Sequence, residues 1–232
     1  MMKGNKKLSP VLLARMAGLF ALLEAVTSGF GQVIVPRMLV VSGDAATTAA
    51  HVLAHGLLFR VAILAAFIGV ACHIAWTFLF YELFRPVNKS LSLFAAFVSL
   101  VAIALQAFSS VFQLAPLVVL EGQRSLSAFN VEQLNGLALL GFQLYARAFE
   151  IYLVFFGFWC VLIGYLIVRS RFIPRIIGIL EAVAGLCWLT FLWPPLAHSL
   201  SPFNQVPAAL GELSLMFWLL VMGVNAQRWN ES

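Results

Sequence analysis

From Val61 to Tyr81 the chain reads VAILAAFIGVACHIAWTFLFY, without one Asp, Glu, Lys or Arg. A helix needs about 20 apolar residues to cross the hydrocarbon of a bilayer, and this stretch supplies them. Working outward, further charge-free stretches run from Ser90 to Leu120, from Ile151 to Val168 and from Leu213 to Gln227. The last extends backward through Glu212. Two more apolar segments tolerate an internal carboxylate: Val11–Val35 holds Glu24, with Arg15 near one end, and Ile176–Leu192 holds Glu181. The pattern predicts an all-α fold, a polytopic membrane helix bundle with six transmembrane helices near 11–35, 57–84, 91–119, 134–168, 175–193 and 207–228. The fourth is long for a single crossing, so its first turns are expected to project beyond the membrane. No connecting segment is long enough for a soluble domain, so 1–232 is expected to be a single integral membrane domain.

The composition agrees. Apolar residues make up 62% and charged residues 10%, against roughly 45–50% and 25% in soluble chains. Mean hydropathy is +0.99. There is too little charge to cover a water-facing surface. The net charge of +5 does not point to nucleic acid, because the basic residues mark topology. With the N-terminus inside, the inner side holds Lys3, Lys6, Lys7, Arg15, Arg85, Lys89, Arg169, Arg171, Arg175 and Arg228. The outer side holds Arg37, Arg60, Arg124 and Arg147. That asymmetry predicts both termini cytoplasmic. The first segment has a basic start like a signal peptide. It is longer than a typical signal core, carries Glu24 and lacks a small-residue cleavage site, so it reads as an uncleaved span. The expected location is a cell membrane, multi-pass, in a bacterial host.

Proline placement fits this division. Pro10, Pro86, Pro174 and Pro207 sit at or just before expected helix starts; Pro36, Pro194 and Pro195 sit at ends, and Pro202 lies in a loop. Pro116 alone falls inside a span, near its outer end. Proline lacks the N–H that a helix interior uses. Between the first two spans, Asp44 is positioned as the N-cap of a short helix over Ala45–Ala54. Residues 193–207 read as an irregular outer loop. No interrupted helix is evident near the midplane.

Polar side chains inside spans are costly and usually turn to the bundle interior. Glu24, Thr27, Ser28 and Gly31 share one helical face; so do Gln106, Ser109, Ser110 and Gln113, and so do Gln143, Arg147 and Glu150. Span 6 opens with Glu212 and span 2 with Arg60. In the expected topology nearly all lie in the outer half, with Glu181 the main exception. Converging there, they would enclose a hydrated or hydrogen-bonded cavity whose candidate ligand-binding residues are Glu24, Arg60, Gln106, Gln113, Gln143, Arg147, Glu150 and Glu212. The bland reading is that Ser and Thr only line helix contacts and that the arginines snorkel to the interface. Glu24, Glu150 and Glu212 outnumber the two arginines, leaving one carboxylate without an obvious cation. Arg60 is expected to pair with Glu24 or Glu212, and Glu150 to face the cavity beside Arg147.

No cofactor and no metal site are expected. His51 and His55 have the i, i+4 spacing that can chelate zinc, with His198 or a carboxylate as a third ligand, but two His on a solvated helical face are common. His73 is the only His inside a span, so haem has no second axial ligand; a bond to a neighbouring helix is the plainer reading. Cys72, Cys160 and Cys187 are too widely spaced to form a redox pair. There is no nucleotide-binding loop, nucleophile elbow or zinc-protease motif.

Pro36, Gly43-Asp44-Ala45-Ala46 with Ala49-Ala50, and Leu58-Phe59-Arg60 resemble a bacterial membrane family catalogued as domain of unknown function 4386. The most specific match is Leu83-Phe84-Arg85-Pro86-Val87-Asn88-Lys89 with Leu91 and Leu93. Others are Phe155-Phe156-Gly157, Leu162-Ile163-Gly164-Tyr165-Leu166 with Arg169-Ser170, Pro174-Arg175, and Gly211-Glu212-Leu213. The resemblance covers roughly residues 10–228. It implies a helical integral membrane protein with no assigned activity, and it puts Arg60, Arg85, Asn88 and Glu212 on shared motif positions. Tyr145, Arg147, Glu150, His51 and His55 depart from the family pattern.

Three functions are compatible with these residues. One is a protein that binds or moves a small solute or ion through the polar cavity. The second is a ligand-free structural or regulatory membrane subunit. The third is an intramembrane enzyme acting on a lipid or other apolar substrate, with Glu24, Glu150 or Glu212 as acid–base group. Membrane lipids are the expected partners, with a small solute or ion as ligand and no nucleic acid. The sequence leaves enzymatic activity, oligomeric state and ligand identity open.

Overall fold

The computed structural model describes residues 9–122 and 126–232. Lys3, Lys6, Lys7 and Arg124 of the topology argument lie outside the described residues. In chain order the helices are α1 (Pro10–Ser28), a π-helical turn (Gly29–Ile34), α2 (Val35–Leu39), α3 (Ala45–Ala54), α4 (Gly56–Phe84), α5 (Lys89–Glu121) and α6 (Val131–Ser170). Then follow α7 (Arg175–Leu189), a 3-10 turn (Thr190–Leu192), α8 (Pro194–Leu200), α9 (Gln205–Val221) and α10 (Ala226–Asn230). Among the described residues there is no strand.

Five stretches are long and apolar enough to cross a membrane: Pro10–Leu39, Gly56–Phe84, Lys89–Glu121, Val131–Ser170 and Arg175–Leu192. The sixth expected span corresponds to α9, an apolar helix of 17 residues, about 25 Å at 1.5 Å per residue. Burial is inverted relative to a water-soluble protein. Gln106, Gln113, Ser109 and Ser110 are fully buried, while Leu57 and Phe203 are 79% exposed and Val118 and Phe97 are bare on the perimeter. A helix bundle whose polar groups face in and whose large apolar groups face out is solvated by lipid. The protein is a polytopic membrane helix bundle.

Local rules set the helix starts. Ser9 Oγ accepts from the Leu12 amide at 3.2 Å, with Pro10 next in the first helical position, where its missing N–H is harmless. Asp44 caps α3 as expected, its Oδ1 accepting from the Thr47 amide at 2.9 Å. Asn88 Oδ1 caps α5 through the Leu91 amide at 2.9 Å. At α6, Asn130 and Gln133 cap reciprocally, each side chain 2.9 Å from the other's amide, the capping-box arrangement.

Two expectations about the C-terminal third are corrected. The helix expected over 207–228 stops at Val221, because Gly223 adopts φ 67. That left-handed turn suits glycine and ends the helix, and Asn225 caps the separate α10. The loop expected over 193–207 contains α8, since Pro194 and Pro195 open a helix instead of only closing one. Asn204 holds the segment in place, its Nδ2 donating to Thr190 Oγ1 at 3.1 Å and to the Ala197 carbonyl at 3.2 Å.

The chain divides into two compact units. One comprises the chain up to Leu22, His73–Ala102 and Leu153–Ser232; the other comprises Leu23–Cys72 and Ile103–Tyr152. In the first, α6 and α7 pack as a close antiparallel pair. A Cβ on Gly164 would lie 2.6 Å from the Gly178 carbonyl, and one on Gly157 would lie 2.9 Å from the Gly185 carbonyl. Glycines at both crossings let the backbones touch. Trp76, Phe80 and Trp159 form an aromatic core, with Trp76 and Trp159 centroids 4.5 Å apart. His73 stacks on Trp76, and its Nε2 lies 3.3 Å from Ser99 Oγ. This is the plain reading of that histidine, a bond between α4 and α5. In the second unit Val35, Leu39, Val52, Phe59, Ile63, Leu117, Leu120 and Phe142 form the apolar core.

Candidate functional site

The polar cluster of the second unit begins with a π-helical turn. Residues 29–34 widen into it without ending the helix, which runs on as one apolar stretch over Pro10–Leu39. The cause is local. Pro36 sits just beyond the turn and has no N–H to give to the carbonyl behind it. In α-helical register that carbonyl is Gln32's; in π register it is Gly31's. Both carbonyls are met by side chains from other helices. Gln113 Nε2 of α5 donates to the Gly31 carbonyl at 2.7 Å. Tyr145 Oη of α6 donates to the Gln32 carbonyl. A π turn of this kind inside an α-helix commonly marks a functional position. Gly31 is also where the turn meets α4, since a Cβ there would collide with the Ala62 carbonyl and come within 2.8 Å of the Ala66 nitrogen.

From α1 into the turn, Glu24, Ser28 and Gln32 recur every four residues and so line one face of the helix. Gln106 of α5 reaches all three. Its Nε2 lies 3.2 Å from Glu24 Oε1, 3.2 Å from Ser28 Oγ and 3.0 Å from Gln32 Oε1. An amide NH2 has two hydrogens, so these acceptors share them. Gln32 Nε2 donates to Ser110 Oγ at 3.3 Å, and Ser109 Oγ donates to the Gln106 carbonyl at 2.7 Å. Gln113 Oε1 is buried and has no hydrogen-bond partner among the described residues. Glu24 takes part in none of the ion pairs among the described residues, which join Arg60 to Glu121, Arg85 to Glu82 and Arg147 to Glu150.

The cluster therefore offers a carboxyl oxygen, two side-chain amide oxygens and serine hydroxyls in one knot, buried except at the half-buried Glu24. Its acceptors are oxygens, which suit protons and hard cations more than soft metals, and they are met by the side-chain amide hydrogens of Gln106 and Gln32. Among the described residues no group of three His, Cys, Asp or Glu could hold a metal ion.

Of the eight cavity candidates, the structure brings Glu24, Gln106 and Gln113 together. Arg60 pairs with Glu121 and not with Glu24 or Glu212. Glu121 is the first charge after the apolar run of α5, close enough in level to the first turns of α4 to compete for Arg60. Gln143 and Arg147 are exposed; Arg147 bonds Glu150 at 2.9 Å, its own side chain 65% exposed and that of Glu150 15%. Glu212 belongs to the first unit, where it accepts from Trp188 Nε1. His51 Nδ1 lies 3.2 Å from the Leu39 carbonyl, and His55 caps the end of α3. The cluster also contains Gln32 and Tyr145, which reasoning from charge-free runs passed over. The signals were present: Gln32 continues the Glu24–Ser28 face and stands four residues before Pro36.

A family model described as Domain of unknown function (DUF4386) matches residues 16–223 of the chain. No curated protein and no solved structure matches it.

Proposed function

Because this chain belongs to the DUF4386 family, described only as a domain of unknown function, we propose its role from the cluster itself: a membrane protein that binds and moves a small cation, a proton or an alkali metal ion, at Glu24. One observation carries the reading. Glu24 is a carboxyl in a membrane-spanning helix that has no ion pair among the described residues and faces an amide, while the buried Gln113 Oε1, whose amide bonds the π turn, has no donor among them. Intramembrane carboxyls without a cation of their own mark ion and proton pathways. The Lys/Arg asymmetry supports a cell membrane with both ends of the chain inside.

The test is cation flux into proteoliposomes of the full chain, under an imposed membrane potential, read with a pH-sensitive dye and with radioactive sodium. The expected result is flux above protein-free vesicles for one of these ions, lost in Glu24→Gln and reduced in Gln113→Leu. No flux from the wild type, or equal flux from Glu24→Gln, overturns the proposal. The latter result together with a lowered melting temperature would assign the cluster to helix cohesion alone.

A further inference from the structure

A second feature lies in the unit that does not hold the cluster. Arg171, the first residue past α6, has φ 58, a left-handed backbone that makes α6 turn sharply. Two bonds tie this turn to the segment after α9. Arg228 Nη1 donates to the Arg171 carbonyl at 3.1 Å, and the Asn225 amide donates to the Phe172 carbonyl at 3.2 Å. Between them opens a cleft of about 870 Å³ whose lining includes Arg171, Arg175, Arg228, Glu231 and Trp218. This volume lies in the range of small-ligand sites, roughly 300–1,000 Å³.

The charge of the cleft is one-sided. Its side chains include three guanidiniums and one carboxylate, and Glu231 is held by the Gln227 amide at 3.1 Å. None of the three arginines forms an ion pair among the described residues. Each guanidinium presents a planar fork of donors that matches a phosphate. Trp218 and Met222, at the end of α9, give the cleft an apolar wall, as a glycerol and acyl chain would require and a free ion would not. By the positive-inside pattern this is the inner face, where anionic lipids meet basic pockets.

We infer that this cleft binds the phosphate of an anionic phospholipid headgroup from the inner leaflet. The site is independent of Glu24 and of the cation reading.

The experiment is native mass spectrometry of the full chain in detergent with phosphatidylglycerol, with phosphatidylcholine, and with inorganic phosphate as competitor. Phosphatidylglycerol is expected to be retained about tenfold better than phosphatidylcholine, a free-energy difference of about 1.4 kcal/mol. The Arg171→Gln/Arg175→Gln variant should lose that preference, and Arg171→Lys/Arg175→Lys should keep part of it. Neither variant touches the Arg228 bond to the backbone, and both keep a side chain at position 171, so the turn is expected to survive. If the glutamine variant does not fold, a salt titration of the wild type decides: retention of phosphatidylglycerol should fall steeply with salt. Equal retention of the two lipids, retention unmoved by the substitutions or by salt, or full displacement by millimolar-range inorganic phosphate would overturn the lipid assignment.

Discussion

Tyr145 of α6 donates its hydroxyl hydrogen to the backbone carbonyl of Gln32 in the first span, four residues before Pro36. The bond replaces one that the proline cannot make. It turns a carbonyl freed in one helix into a contact between two, because a buried carbonyl in lipid must find a donor somewhere.

Tyr145→Phe removes that donor and leaves the carbonyl buried. The expected loss is about 1–2 kcal/mol, between the penalty for an unmet buried group and the smaller values typical of membrane helices. Unfolding in mixed micelles measures it. An unchanged unfolding midpoint would show that the carbonyl finds another donor.

Pro36→Ala returns an N–H to the turn. If Tyr145 is there to meet a deficit left by Pro36, the effect of Tyr145→Phe should shrink to roughly half or less in the Pro36→Ala background, a coupling readable in a double-mutant cycle. Additive effects would mean that the π turn has another cause.

Gly164→Val should force α6 from α7. Its Cβ would stand 2.6 Å from the Gly178 carbonyl and 2.7 Å from the Ala182 nitrogen, both backbone atoms that cannot rotate away. A loss of about 1–3 kcal/mol is expected, as for overpacked cores. Val substituted for Gly136, which has nothing within 4 Å of its Cβ, is the matched control and should be much milder.

Arg60→Ala is expected to be mild, about 0–1 kcal/mol, since its pair with Glu121 is half exposed on both sides, 56% and 45%. A cycle with Glu121→Gln should give coupling within that range. A coupling several times larger would place the pair in a far drier setting.

Asp44 provides a pH prediction outside the spans. The hydroxyl and amide of Thr47 hold its carboxyl below the ordinary aspartate value. A depressed value means the capping contribution is fully present above the unfolded-state pKa, about 3.9, and is lost as pH falls through the folded-state value. Hydrogen exchange at the Thr47 amide should therefore gain an extra acceleration in that acid range, absent in Asp44→Asn. The same profile in both proteins would refute the cap's titration.

The spans were legible because lipid imposes a simple rule on composition. α4 was expected over 57–84 and runs over Gly56–Phe84; α5 was expected over 91–119 and runs over Lys89–Glu121. The polar residues Glu24, Gln106 and Gln113 were legible for the same reason, as polar groups where polarity is expensive, and the cap at Asp44 from its place just before a short helix. What spacing could not give is helix rotation. Gln143 and Arg147 share a face, but it is the exposed one; Tyr145, two residues from each, points the opposite way and joins the cluster. Glu121 looked like a mere span boundary, and so its claim on Arg60 was missed. The π turn was hidden because it arises from a proline's missing hydrogen in one helix and from donors distant in sequence.

The close-packed α6–α7 pair bears on how the chain is made. α7 is the less apolar partner, its stretch having mean hydropathy 1.7 against 2.5 for α6. It also carries Glu181, buried to 1% exposure, its Oε2 without a hydrogen-bond partner among the described residues. Alone at the exit of the translocon, α7 would have to partition that carboxyl against lipid, where an acidic residue at a helix centre costs about 2.5–3.5 kcal/mol. Only residues 171–174 separate it from α6, so α6 is still at hand when α7 leaves the ribosome. The glycine contacts let the two enter the bilayer as one hairpin, with the carboxyl already shielded. Biosynthesis of this chain thus favours delivery of these two helices together, and a long linker inserted after Ser170 should impair membrane insertion of α7 before it alters any property of the finished protein.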